Sequence, residues 1–431
     1  MCSICGRVGE RKKECNMGKS IAVVGAGAAG MMAAICAARA GAKVTVYERN
    51  DRVGKKILAT GNGKCNFSNE KMGSEWYFGS GKGMIDEVYR TFGLQETKNF
   101  YEELGMRIKN RNGYLYPASE QASTVLDVLR YEMQRLPITI HTGQQVTEIR
   151  THQNGFQLET KEHQKCRYDA VILACGGKAA PKTGSDGQGM KIARQMGHHI
   201  IPTVPALTAL RCKEGFYKQI AGVRCDAGLT LWISGHKVCT ERGELQLTDY
   251  GISGIPVFQI SREAAYALQN KKCTVVGIDF LPDYDDNEYA SFWKQRWIVQ
   301  ADQTMEQFVT GIVNKKIGLL LLKLAGIKET EKALNVPESK RSKLGSLFRD
   351  FRVEVRETNS YEQAQVSAGG IDCGEVTQQM ESRLVHGLYF AGEILDVDGI
   401  CGGYNLQWAW SSGAVAGMAA AGQLQKYEDV H

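Results

Sequence analysis

Gly25, Gly27 and Gly30 stand in a G-x-G-x-x-G spacing, and the acidic residue Glu48 follows at the delay expected of a ribose-binding acid. Together they have the types and spacing to hold a dinucleotide. The first glycine suits a tight turn, the second lets a pyrophosphate reach the backbone, and the third lets a helix pack closely on a strand. Ala28 and Ala29 would open that helix, whose free N–H groups point at the phosphates. Glu48 would accept the adenosine ribose hydroxyls, with Arg49 beside it.

The surrounding elements decide whether such a spacing means anything, because glycine turns are common. "SIAVVGAGAAGMMAAICAARAGAKVTVYERN" predicts a buried strand over 21–24, the glycine turn, a helix to about residue 40 and a second strand over 43–47. This βαβ unit places the glycines and the acid where the fingerprint requires them. Residues 21–42 are apolar for most of their length, but alanine and glycine contribute little transfer energy and Arg39 interrupts the run, so no membrane span is expected.

Directly after the acid comes "RNDRVGKKILATGNGKCNFSN". Its part over 58–69 is rich in glycine and asparagine and offers little apolar surface to bury. Lys55, Lys56, Thr60, Gly61, Asn62, Gly63, Cys65 and Asn66 make it denser in hydrogen-bonding groups than a connector needs. Backbone N–H groups and asparagine amides in such a loop can follow a pyrophosphate and a polyhydroxyl chain.

"GKKILATGNGKCNFSN" resembles the hallmark loop of the HI0933-like family of bacterial FAD-dependent oxidoreductases. Two later stretches agree with it: "GELQLTDYGISGIPVFQISR" over 243–262, and "AQVSAGGIDCGEVTQQMESRLVHGLYFAGEILDVDGICGGYNLQWAWSSG" over 364–413. The resemblance covers nearly everything from residue 19 onward. It implies non-covalent FAD and a backbone contact from Val146 to the adenine. It also implies a small, steroid-like substrate, because members of the family include a reductase of ring double bonds in 3-oxo bile-acid intermediates. The expected reaction is reduction of a C=C bond next to the ketone of a 3-oxo-Δ4 or Δ4,6 steroid by hydride from flavin N5. Another member type, an aminoacetone oxidase, implies the alternative of an oxidase of a small amine or amino-ketone. A third reading is a flavin-containing RNA-binding or RNA-modifying protein, since some tRNA-modifying enzymes carry a related FAD domain.

The C-terminal block gives the same cofactor on physical grounds. "GLYFAGE" predicts a short strand over 388–391, followed by Gly392 and Glu393, an acid placed to bind a ribityl hydroxyl. "DGICGGYNLQWAW" then feeds a helix from about residue 405. With Gly403, Tyr404, Asn405 and Leu406 at the flavin ring edge, its N-terminus would stabilise the negative charge that reduction brings. Between the two blocks, "YDAVILACGG" predicts another buried strand, whose Ala174, Gly176 and Gly177 let the chain pass close to the cofactor. The run "GSDGQG" has the wrong spacing for a second nucleotide fold, so electrons are expected from NAD(P)H bound transiently or from another protein. No proton donor is assigned. Cys65 and Tyr404 would flank the flavin, but a cysteine in such a loop more often packs, and His198 and His199 read as surface or core residues.

These blocks define an α/β fold in which a Rossmann-like FAD-binding domain is built from both chain ends around an inserted mixed β/helical substrate domain. The expected division is a flexible leader over 1–18, the first FAD segment over 19–195, a substrate-shaping lid over 196–358 and the second FAD segment over 359–431. Within the lid, "AGLTLWISGHKVCTERGELQLT" alternates like antiparallel strands, and "FWKQRWIVQADQTMEQFVTGIVNKKIGLLLLKLAG" reads as helices. The net charge of +6 is spread over 53 basic and 47 acidic residues without a long single-sign block, which argues against a nucleic-acid partner. Thirteen cysteines without a secretory signal argue for reduced thiols in the cytoplasm. Cys2, Cys5 and Cys15 in the leader have no nearby histidine to complete a zinc site, so no metal is expected.

Overall fold

The computed structural model describes residues 18–153 and 155–424. The expected leader, with its three cysteines, lies outside the described residues except for Gly18. At the centre is a five-stranded parallel sheet in the order Leu388–Phe390, Ala170–Leu173, Ser20–Val24, Lys43–Glu48, Ile138–Thr142. Its middle strands are nearly continuous apolar runs because they are covered on both faces. One edge strand comes from the C-terminal segment, so the sheet closes only when both chain ends are present.

Helix Ala28–Arg39 and helix Tyr404–Ala420 pack side by side behind this sheet, and both are buried over most of their surface. Small residues allow the approach. A Cβ on Gly413 would stand 2.5 Å from the Ala29 carbonyl oxygen, and one on Gly417 would run into the Ala33 carbonyl. The expected element types hold over the first βαβ unit, with helix Ala28–Arg39 ending one residue early.

The inserted unit is reached through an antiparallel pair, Ile200–Ala206 with Val366–Ile371, one strand leading in and the other leading back. Beyond it is a closed six-stranded barrel in the order Leu210–Cys212, Gly251–Ser253, His236–Leu247, Arg224–Ile233, Thr274–Asp279, Phe351–Thr358. The two long strands form the hairpin that their alternating sequence predicts, with Thr230 facing Thr240. Helix Ile255–Gln269 lies across the strand His236–Leu247. Helices Asp286–Val299, Met305–Val309, Lys315–Ala325 and Glu338–Arg349 form an excursion between the last two barrel strands. Barrel closure was not foreseen, because it depends on pairing Leu210–Cys212 with Phe351–Thr358 across the whole insertion.

Among the described residues, no helix is long and apolar enough to cross a membrane, no cluster of metal-ligating side chains occurs, and ten cysteines are free thiols. The helix contact at Gly413 is directly testable. Gly413→Val forces a branched side chain against helix backbone and is expected to cost about 1–3 kcal/mol, read as a lower midpoint in thermal unfolding.

Candidate functional site

The glycine turn is built as its spacing implies, and each glycine has a different reason. Gly25 has φ +100°, and a Cβ there would lie 2.6 Å from the Ala174 carbonyl oxygen. A Cβ on Gly30 would run into the Gly25 carbonyl, whereas one on Gly27 meets nothing within 4 Å. That open space lies at the start of the helix headed by Ala28 and Ala29, whose first turn has no side-chain cap and no acid. Its N–H groups are therefore left for an anion.

Glu48 is buried beside this turn. Its carboxylate accepts from Ala26 N at 2.9 Å, Asn50 N at 2.8 Å and Asn50 Nδ2 at 2.7 Å. A carboxylate offers about four acceptor directions, so one remains for a ribose hydroxyl. Gln144 N donates to the Glu48 carbonyl at 2.9 Å, which brings Val146, at the start of strand Val146–His152, to the same end of the site. The buried Gln144 Oε1 has no hydrogen-bond partner among the described residues. Arg49 turns away to pair with Asp186. Gly176, with φ +72°, passes so close to Ser185 that a Cβ would lie 2.5 Å from its Oγ.

The loop over 58–69 is divided between two environments. Thr60, Gly61, Asn62 and Gly63 form a 3-10 turn. Cys65, Phe67, Ser68 and Asn69 are buried, contrary to the expectation of a stretch with little to bury. The reason is the last helix: Ser68 Oγ donates to Gln407 Oε1 at 2.6 Å, Trp410 Nε1 donates to Phe67 O at 2.9 Å, and Asn69 Nδ2 donates to Gly402 O at 3.0 Å. Cys65 is held at φ +54°, a strained value for a side-chain-bearing residue. Beside it, the buried Asn66 Oδ1 has no partner among the described residues. Two orphan amide oxygens, the space over Gly27, the uncapped helix start and the spare direction on Glu48 together fit an extended dinucleotide such as FAD.

The two lysines separate. Lys55 pairs with the exposed Asp51 at 2.7 Å, while Lys56 Nζ reaches Glu393 Oε2 at 2.6 Å. Glu393 Oε1 accepts from Ser367 N and Oγ at 2.9 and 3.1 Å, so this carboxylate ties the loop to the returning strand. Gly392 N donates to Ser412 Oγ at 2.9 Å. Gly403, with φ +95°, caps the last helix over the Ser68 carbonyl. Asn405 clamps the preceding turn, accepting from Gly399 N at 2.9 Å and donating to Gly399 O at 2.8 Å. Tyr404 is buried, accepting through its carbonyl from the Tyr77 hydroxyl at 2.8 Å, and Leu406 is half-buried.

A further group, absent from the sequence reading, comes from the inserted unit. Arg262 Nε donates to both oxygens of Asp398, at 3.1 and 3.0 Å, and its guanidinium lies 5.0 Å from each of the Phe78 and Tyr266 rings. One turn away on the same helix, Gln259 Oε1 accepts from Cys401 N at 2.9 Å. Both Arg262 and Asp398 lie inside stretches quoted above, but only folding shows that they meet.

The sequence pattern described as the HI0933-like protein Rossmann domain matches residues 19–419. The chain belongs to the HI0933-like family. It is 42% identical over 404 residues to the 3-dehydro-bile acid delta(4,6)-reductase of Clostridium scindens, covering 93% of this chain and 98% of that protein. It is 29% identical to the ribosomal RNA dihydrouridine synthase of Escherichia coli, over 90% of this chain and 95% of that protein. It is also 29% identical to the synthase of the same description in Haemophilus influenzae, over 93% and 98%.

In this HI0933-like chain the buried thiol and phenol beside the loop are held in their neutral forms. Burial pushes the Cys65 thiol up to about 11 and the Tyr404 hydroxyl up to about 12. His198 is a core residue, bonded to Glu375 at 3.0 Å and Ser382 at 2.8 Å, and burial lowers its pKa in spite of Glu375. Asp398 is different: burial raises it to about 6, while Arg262 opposes the shift. A carboxyl whose native pKa exceeds its unfolded value contributes stability that is complete below the unfolded pKa and declines as pH rises through the native one. Relative to Asp398→Asn, the wild-type protein should lose about 3 kcal/mol of unfolding free energy between about pH 4 and pH 7, measured by urea denaturation.

Proposed function

We propose that this protein is an FAD-dependent oxidoreductase that saturates a C=C bond conjugated to a ketone, with a 3-oxo-Δ4 or Δ4,6 steroid of the bile-acid type as substrate. The observation that carries this reading is the 42% identity over 98% of the bile-acid reductase, joined to a cradle that fits a dinucleotide. Bound FAD supplies the hydride. Gly27, the start of helix Ala28–Arg39 and Glu48 hold the pyrophosphate and ribose, with Val146 at the adenine. The loop from Thr60 to Asn66 follows the ribityl chain, and the start of helix Tyr404–Ala420 faces the ring, where its dipole favours the charge of the reduced state.

The described residues of the segments over 19–195 and 359–431 form the cofactor unit, and 196–358 forms the lid that shapes the substrate cleft. NAD(P)H bound transiently is the electron donor, and the reaction takes place in the cytoplasm. The chemistry demands a donor or cation at the ketone oxygen and a proton for the α-carbon once the β-carbon has received hydride.

A second reading is favoured by the two ribosomal RNA relatives. The C5=C6 bond of uracil is conjugated to a carbonyl, so its reduction poses the same electronic problem in a different substrate. The dispersed +6 charge supports the small-molecule reading over RNA.

The protein should purify yellow, and after reduction under anaerobic conditions a 3-oxo-Δ4,6 bile acid should restore the spectrum of oxidised flavin. Restoration by uridine-containing ribosomal RNA and not by the steroid would replace the steroid reading with the RNA one. Glu48→Ala should weaken FAD binding about 10–100-fold, the worth of a lost charged hydrogen bond, measured by retained flavin per protein and by titration of the apoprotein.

A further inference from the structure

We propose that Arg262 is the residue that receives the ketone oxygen of the substrate and stabilises the negative charge developing there, and that Asp398 positions it. This rests on the conjugated-ketone reading above and assigns a residue to the first of the two demands of that chemistry, the cation at the ketone oxygen.

Gln259, Arg262 and Tyr266 recur along one face of helix Ile255–Gln269, which belongs to the inserted unit. That face meets the turn that leads from Asp398 to Gly403 and hence to the start of the last helix. Cys401 N donates to Gln259 Oε1 at 2.9 Å, and Asp398 accepts from Arg262 Nε. Asp398 itself is fixed from the other side, its short strand pairing with Tyr77–Phe78. Arg262 is therefore a charge that the inserted unit delivers to the ring end of the cofactor cradle.

A guanidinium has five N–H groups. Nε is taken by Asp398 and Nη1 by Glu263 Oε1 at 2.8 Å, while Nη2 makes no hydrogen bond among the described residues. The flanking Phe78 and Tyr266 rings restrict the plane of the group, and the side chain is 15% exposed, so it keeps an open edge. A bridge between the two units needs neither the unused Nη2 donors nor the aromatic slot, and a buried ion pair is weak as a source of stability. A preorganised cation with free donors on Nη2 is what an enolate oxygen requires. When hydride adds to the β-carbon, the C=C pair shifts toward the carbonyl and negative charge appears on oxygen. Nη2–H donates to that oxygen, and the α-carbon then takes a proton from solvent to complete the saturated ketone.

The test uses the FAD-loaded full chain and two inert probes, a steroid with a phenolic A ring, whose oxygen mimics the enolate, and its 3-deoxy counterpart. Binding is read from the flavin spectrum. Wild-type protein should prefer the phenol by at least about tenfold. Arg262→Gln should abolish that preference while binding of the 3-deoxy probe and FAD content stay within about threefold. Its kcat with the dienone should fall about 100–1000-fold, with Arg262→Lys recovering part of both effects. Asp398→Asn should weaken the preference without removing it. If Arg262→Gln does not fold, Arg262→Lys decides, because loss of the fork geometry should still reduce the preference. Undiminished preference for the phenol in any folded variant lacking the guanidinium overturns the assignment alone. Wild-type protein that binds neither probe and is not reoxidised by the dienone overturns this assignment together with the steroid reading.

Discussion

The structure depends on backbone approaching backbone where no side chain can stand between. Gly25 against Ala174, Gly30 against Gly25, and Gly413 and Gly417 against the first helix leave no room for a Cβ. These contacts draw the central strand, the first helix and the last helix into one unit. They also leave one glycine of the turn open, Gly27, where a phosphate can come as close to the chain as the chain comes to itself. The same constraint that packs the core therefore shapes the cradle.

That unit is assembled from distant parts of the sequence. The edge strand Leu388–Phe390 completes a sheet begun at Ser20–Val24, and helix Tyr404–Ala420 lies on a helix formed by residues in the twenties and thirties. The loop over 58–69 takes its order from the same source, because Ser68, Phe67 and Asn69 are bonded to the last helix and the turn before it. Lys56 and Glu393 repeat the arrangement nearer the glycine turn. A barrel inserted into such an assembly can bring its own charge to the site, as Arg262 does through Asp398, without disturbing the elements that hold the cofactor.

Individual residues show what could be read beforehand. The tight turn at Gly25, the close packing at Gly30 and the place of Glu48 beside the turn were legible because they are local and stereochemically forced. Glu393 was read as a ribityl acid because it follows a glycine after a strand, yet it bonds Lys56 and Ser367; nothing in its own neighbourhood announces partners that lie far off in sequence. Asn405 was read as a cofactor contact and is found clamping the turn at Gly399, a bond made possible by the left-handed Gly403 between them. Lys55 and Lys56 look equivalent in sequence and are equally half-buried, but the short helix Lys55–Leu58 aims one at the exposed Asp51 and the other at the more buried Glu393.

By itself the sequence determined the βαβ fingerprint, the alternation of the barrel hairpin, the apolar character of the central strands and the family to which the chain belongs. All of these rest on spacing between residues close together in the chain, where backbone geometry leaves few choices. Closure of the barrel, burial of the polar loop's far half and the meeting of Arg262 with Asp398 were decided only by tertiary structure. Each joins groups more than a hundred residues apart, and no local periodicity records which distant surface will remove a side chain from water.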